Sequence, residues 1–156
     1  MEEQPYRPLS GLSDDDRALL NAAREVAPRA FNPVSGFQVG AAVRSHDGRV
    51  YLGTFLESSA LPLGVCAEPA ALLAALCDGV RRFAAIAVVG GDPASAGVGR
   101  PVTPCGGCRQ RIYDVTGGPA TNLHVLCSDL TLQHVLPASS VPVRYHFSSR
   151  SRNKGH

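Results

Sequence analysis

The sequence predicts an α/β fold, a three-layer α-β-α domain on a mixed five-stranded sheet, and three observations carry that prediction. The 156 residues match the roughly 100–200 that one domain usually occupies. Apolar residues make up 44% and charged ones 18%, enough to build one core and unlike a disordered, collagen-like or highly charged chain. Segments of helical and strand period also alternate along the chain, in the order α-β-β-α-β-α-β-(α)-β. Residues 1–12 are expected to be an irregular lead-in, 13–147 the single domain and 148–156 a polar tail.

Ser13 followed by Asp14, Asp15 and Asp16 places a capping hydroxyl and three carboxylates at the positive end of a helix. Leu19, Leu20, Ala23 and Val26 give that helix one apolar face, to about Pro28. After the Asn32-Pro33 turn, residues 37–43 and 49–56 read as antiparallel strands joined through His46-Asp47-Gly48, whose Asp-Gly pair suits positive φ. Residues 66–77 are Ala- and Leu-rich with almost no polar face, so a buried helix is expected there, stopping at Gly79. Residues 83–89 form a short, wholly apolar run ending in two glycines, the pattern of a strand covered on both faces. A loop over 92–104, a helix over 105–115, a strand over 123–127, a brief helix over 130–136 and a last strand over 143–147 complete the domain.

Charge and hydropathy exclude several classes of function. The formal charge is +2, but Arg150, Arg152 and Lys154 belong to the tail, which leaves 12 basic against 13 acidic groups in residues 1–149. A nucleic-acid partner needs a dense cationic face to displace phosphate counterions, so none is expected. No apolar run reaches the roughly 18 residues of a membrane helix, and the N-terminus is acidic and polar, so no membrane partner and a cytoplasmic location are expected.

The five cysteines form an odd set in a chain large enough to bury its own core, so reduced thiols are expected rather than a disulfide framework. Cys105-Gly106-Gly107-Cys108 alone is compatible with a metal half-site, a redox pair or chance. Cys66-Ala67-Glu68, upstream, shifts the balance toward a metal. Each cysteine group lies at the predicted start of a helix, where free N–H groups and the helix dipole stabilise thiolates. Three protein ligands with an open fourth position are the pattern of a catalytic zinc. None of the histidines supplies an obvious fourth ligand, and Cys77 and Cys127 read as small core residues. Between Val50 and Cys77 the only charged residues are Glu57 and Glu68. A carboxylate two residues from a zinc thiolate on an otherwise apolar helix is placed to carry protons, against the plainer alternative of helix-dipole stabilisation.

Cys66-Ala67-Glu68 with Pro104-Cys105-Gly106-Gly107-Cys108-Arg109-Gln110 resembles the zinc site of the small cytidine deaminases, whose wider class carries an H-x-E…P-C-x-x-C signature with a three-cysteine variant. The likeness extends to Ser35-Gly36-Phe37-Gln38-Val39-Gly40-Ala41-Ala42 and covers most of residues 13–146. It implies one Zn²⁺ per chain held by Cys66, Cys105 and Cys108, and Glu68 as general acid/base. The reaction it implies is hydrolytic deamination of cytidine or deoxycytidine with release of ammonia. It further implies a homotetramer whose active sites borrow residues from neighbouring subunits, and a substrate pocket that includes Phe37, Phe55, Glu57 and Ala67.

The sequence departs from that family at three places. Phe55-Leu56-Glu57-Ser58 stands where the family commonly has N-x-E-N, and a phenyl ring cannot replace the hydrogen bonds of an amide, so Phe55 is either core packing or the wall of a more apolar pocket. Pro69 follows Cys-Ala-Glu where an arginine is frequent, which leaves Arg109 or a neighbouring subunit to offset the three thiolates. Leu136-Pro137 leads into Ala138-Ser139-Ser140-Val141 without the usual aromatic. These departures leave room for a specialised relative acting on a nucleoside antibiotic, as blasticidin S deaminases do, and a non-catalytic zinc scaffold is the alternative outside enzymology.

Overall fold

The computed structural model describes residues 6–95, 99–117 and 123–137. Helix α1 (Asp14–Val26) starts where the Ser13 hydroxyl accepts from the backbone N–H of Asp16 at 3.2 Å, and a short 3₁₀ turn over Ala27–Arg29 follows it. Strands β1 (Gln38–Ser45) and β2 (Val50–Thr54) form the expected hairpin, turned by Gly48 at φ 88°. Helix α2 (Ala67–Cys77), strand β3 (Phe83–Gly91), helix α3 (Gly106–Thr116), strand β4 (His124–Ser128) and strand β5 (Val135–Pro137) complete the described elements.

The sheet order is β2-β1-β3-β4-β5. Only β3 and β4 are parallel, with Ala85 beside His124 and Val89 beside Ser128, while the other three pairings are antiparallel. Two apolar layers result. Leu19, Leu20 and Ala23 of α1 pack with Ala42, Ala85, Ala87 and Leu126 on one face. Ala67, Ala71, Leu72 and Ala75 of α2, with Ile112 of α3, pack with Ala41, Val43 and Ile86 on the other. This is the three-layer arrangement expected from the sequence, with mostly alanine at the helix–sheet contacts.

Two glycines set how closely the layers approach. A Cβ on Gly40 would lie 2.1 Å from the Ala23 carbonyl oxygen, and one on Gly53 would lie 2.3 Å from both the Ala67 carbonyl oxygen and the Ala71 nitrogen. The missing side chains let α1 and α2 settle onto opposite faces of neighbouring strand positions, since Ala41 pairs with Gly53 and Gly40 with Thr54.

The expectations for residues 130–136, for the burial of α2 and for Cys77 need correction. The brief helix over 130–136 is absent. The Asp129 carboxylate accepts from the Thr131 N–H at 3.1 Å and from its hydroxyl at 2.7 Å, the Thr131 hydroxyl accepts from the Gln133 N–H, and Leu132 takes φ 58°. Side-chain acceptors thus take the local N–H groups, and a left-handed residue breaks the helical path, so the chain turns back as β5 beside β4. The fifth strand is therefore 135–137, while the strand expected over 143–147 lies outside the described residues. Helix α2 is not buried all round: Leu73 is 56% exposed, and Cys77, expected in the core, is exposed while Cys127 is buried. The lead-in, for its described part, is anchored: Arg7 bridges to Val135, and Tyr6 packs edge-on against His134.

Candidate active site

Cys66 and Cys105 are the N-cap residues of α2 and α3, both with extended backbone (ψ 158° and 170°). A cap position aims a side chain along the helix axis among unpaired N–H groups, so two helix starts converge on one point. Cys108 follows in the first turn of α3, fully buried. The Sγ atoms of Cys66 and Cys105 are 4.0 Å apart, those of Cys105 and Cys108 3.5 Å, and all three lie within 4.8 Å of one another.

The donor set fits zinc. Tetrahedral Zn–S bonds of about 2.3 Å imply sulfur separations of about 3.8 Å, which the two close pairs bracket. Three thiols with no fourth Cys, His or carboxylate joining the group among the described residues leave one coordination position for a small molecule. Without a metal the three sulfurs differ in acidity. Burial, and next the Glu68 carboxylate, push the Cys108 thiol far up. Burial also raises Cys66. At the exposed Cys105, hydrogen bonds, chiefly from the backbone N–H of Cys108, outweigh desolvation and hold the thiol below its ordinary value.

Glu68 stands in the first turn of α2, 3% exposed, with its carboxyl raised above its ordinary value mainly by burial and partly countered by its own N–H and the Cys108 thiol. Pro69, next along the helix, sits where a missing N–H costs nothing. Behind the cluster on β4, Cys127 is pushed up to about 12 by burial and next by Glu68, with Arg109 opposing. Its place beside Glu68 was not evident in the sequence, where only its apolar surroundings show. Arg109 itself donates from Nε to the Pro104 carbonyl at 2.8 Å, bracing the turn that presents Cys105.

The residues expected at the substrate lie in different settings. Phe37 immediately precedes β1 and Phe55 immediately follows β2, at the hairpin end where Gly53 meets Ala67. Phe37 is 36% exposed, Phe55 half-buried and Ala67 fully buried. The Phe55 backbone is engaged on both sides, donating to the Val39 carbonyl and accepting from the Phe31 N–H. Glu57 is buried, and its Oε2 accepts from the Val34 N–H at 2.8 Å and the Ser35 N–H at 3.1 Å. Ser35, foremost, and these N–H groups lower its carboxyl below the usual value against a smaller desolvation effect. Val34 and Ser35 were missed as its partners because a contact over more than twenty residues leaves no local pattern, although the Asn32-Pro33 turn marks the place.

Residues 13–118 match the family model described as the cytidine and deoxycytidylate deaminase zinc-binding region. A cytidine deaminase of Sporosarcina psychrophila is 37% identical over 129 residues, covering 80% of this chain and 90% of that protein. The crystal structure of a cytidine deaminase from Burkholderia pseudomallei superposes with a TM-score of 0.68 at 37% identity, covering 81% of this chain and 92% of that one. The cytidine deaminase from Mycobacterium tuberculosis superposes with a TM-score of 0.61 at 34% identity, over 72% and 85% of the two chains. The thiol trio at two helix starts, the sheet order and these likenesses agree: the chain belongs to the cytidine deaminase family and carries its zinc-binding region.

Proposed function

We propose that the protein hydrolytically deaminates the free pyrimidine nucleosides cytidine and deoxycytidine, with Cys66, Cys105 and Cys108 holding the zinc and Glu68 moving the protons. One observation carries this reading: a 3%-exposed carboxylate, outside the metal-binding trio, packed against the thiol cluster at the start of α2. Zinc bound there supplies Lewis acidity and makes water nucleophilic at neutral pH. The Glu68 carboxylate would take up the proton shed by the attacking nucleophile and return it to the departing nitrogen, a transfer helped by its exclusion from bulk solvent. Phe37 and Phe55 wall the pocket, Ala67 closes its floor, and Glu57 anchors the 33–36 turn at its edge.

The experiment is Glu68→Gln, which keeps the shape and removes the proton carrier. Zinc is retained at about one per chain while ammonia release falls by roughly 10²–10⁴. Unchanged turnover refutes the shuttle, and loss of zinc together with turnover refutes the separation of the two roles.

A second substrate reading is favoured by Phe55, which offers a ring where an amide would bind a sugar hydroxyl. A nucleoside antibiotic or another amino-heterocycle is then the better substrate. Ammonia release from cytidine, deoxycytidine, cytosine and blasticidin S, compared on one preparation, decides between them. We further propose a cytoplasmic homotetramer without membrane or nucleic-acid partners. In support, no helix among the described residues is long and apolar enough to cross a membrane. Leu61 and Leu63, just before Cys66, are 82% and 71% exposed, apolar surface suited to a neighbouring subunit.

A further inference from the structure

At the end of α2 remote from Cys66, the β1–β2 turn and the segment leading into β3 enclose an open cavity of about 360 Å³ lined by His46, Asp47, Arg49, Gly79, Arg81 and Arg82. That volume is within the roughly 300–1,000 Å³ of small-molecule sites. Cys66 caps the first turn of α2 and Gly79 lies just beyond its last, so the eleven-residue helix separates cavity and thiol cluster by about 16 Å.

The charges in this cavity are unevenly used. Arg49 claims both nearby carboxylates, pairing with Asp47 at 2.9 Å and with Asp78 at 2.6 Å, and Asp78 also accepts from the Tyr51 hydroxyl. Arg81 donates one guanidinium nitrogen, Nη1, to the Leu76 and Val80 carbonyls, which covers the negative end of α2. Its other donors have no partner among the described residues. The Arg82 guanidinium and the His46 ring have no side-chain partner among the described residues, and the two residues are tied together by the bond from the His46 N–H to the Arg82 carbonyl. The guanidiniums of Arg49, Arg81 and Arg82 and the His46 imidazole thus stand at the cavity against the two carboxylates of Asp47 and neighbouring Asp78, a local excess of positive charge.

We infer that this cavity binds a phosphorylated small molecule of up to nucleotide size, with Arg81 and Arg82 gripping the phosphate and His46 donating to it. The fork of a guanidinium matches the paired oxygens of a phosphate with two parallel N–H···O bonds. The site is independent of the deamination chemistry.

Calorimetric titration of the zinc-loaded protein at about 0.15 M ionic strength tests the inference with inorganic phosphate, pyrophosphate and cytidine monophosphate as probes. Saturable one-to-one binding of at least one of them is expected, weakened about tenfold or more in both Arg82→Gln and His46→Gln, with zinc content and melting temperature unchanged. Pyrophosphate tighter than the nucleotide assigns a bare phosphate site, and the reverse assigns a nucleotide site. No saturable binding, binding unaffected by either substitution, citrate binding as tightly as pyrophosphate, or binding confined to single-stranded RNA overturns it.

Discussion

Replacing Gly53 with alanine tests how the sheet positions the active-site helix. Elsewhere Gly→Ala usually stabilises by about 0.4–1 kcal/mol, because the unfolded chain loses freedom. At Gly53 the new Cβ would sit 2.3 Å from the Ala67 oxygen and the Ala71 nitrogen, about 1 Å inside ordinary contact, and both obstacles are backbone of α2. Neither rotates away, so the first turn of α2 must move off β2. Overpacking of this kind costs about 3 kcal/mol, the upper part of its usual range. In a chain of this size that lowers the melting temperature by roughly 6–12 °C. The displaced turn carries Cys66 and Glu68, so zinc retention and turnover fall together with stability. Gly106→Ala is the control: it adds a methyl to the first turn of α3 with no heavy atom within 4 Å, and the melting temperature holds or rises. Calorimetry and metal analysis of the two purified variants check both. A Gly53→Ala protein that melts with the wild type and keeps its zinc refutes the account of helix placement.

Ser13→Ala removes the cap of α1, whose hydroxyl accepts from Asp16, and is expected to cost about 1 kcal/mol by urea denaturation without touching zinc content. Glu57→Gln tests the carboxylate that holds the 33–36 turn. Because folding lowers its pKa below 4.5, its contribution is complete above that value and disappears as pH falls through the lower folded pKa. The melting-temperature gap between wild type and Glu57→Gln is therefore constant near neutrality and closes in acid, whereas a gap that widens on acidification contradicts the hydrogen-bond assignment.

The parts legible in the sequence are those fixed by neighbours along the chain. Ser13 with its three aspartates marks a helix start, Asp47-Gly48 marks a hairpin, and the two cysteine groups mark helix starts that the fold does bring together. Residues 130–136 were misread because Leu130, Leu132 and Leu136 look apolar enough for a helix, while the Asp129 carboxylate that captures the local N–H and hydroxyl groups acts through its side chain. The exposed side of α2 was also missed, since an alanine-rich helix shows no polar face whether or not solvent reaches it. Glu57 was visible as an isolated charge, but its partners in the 33–36 turn depend on the closed fold.

The thiol trio also matters to the unfolded chain. Cys66 and Cys105 are 39 residues apart in sequence, on either side of β3, so a metal shared between them ties the first half of the sheet to the helix that precedes β4. Where the metal stays bound, such a clip denies the denatured ensemble the freedom of that loop. By the loop-closure estimate used for disulfides the effect is about 4 kcal/mol, comparable to a substantial part of a small domain's net stability. The same three sulfurs that prepare the chemistry thus act as a removable cross-link, so that stripping the metal lowers the stability of the fold along with the activity.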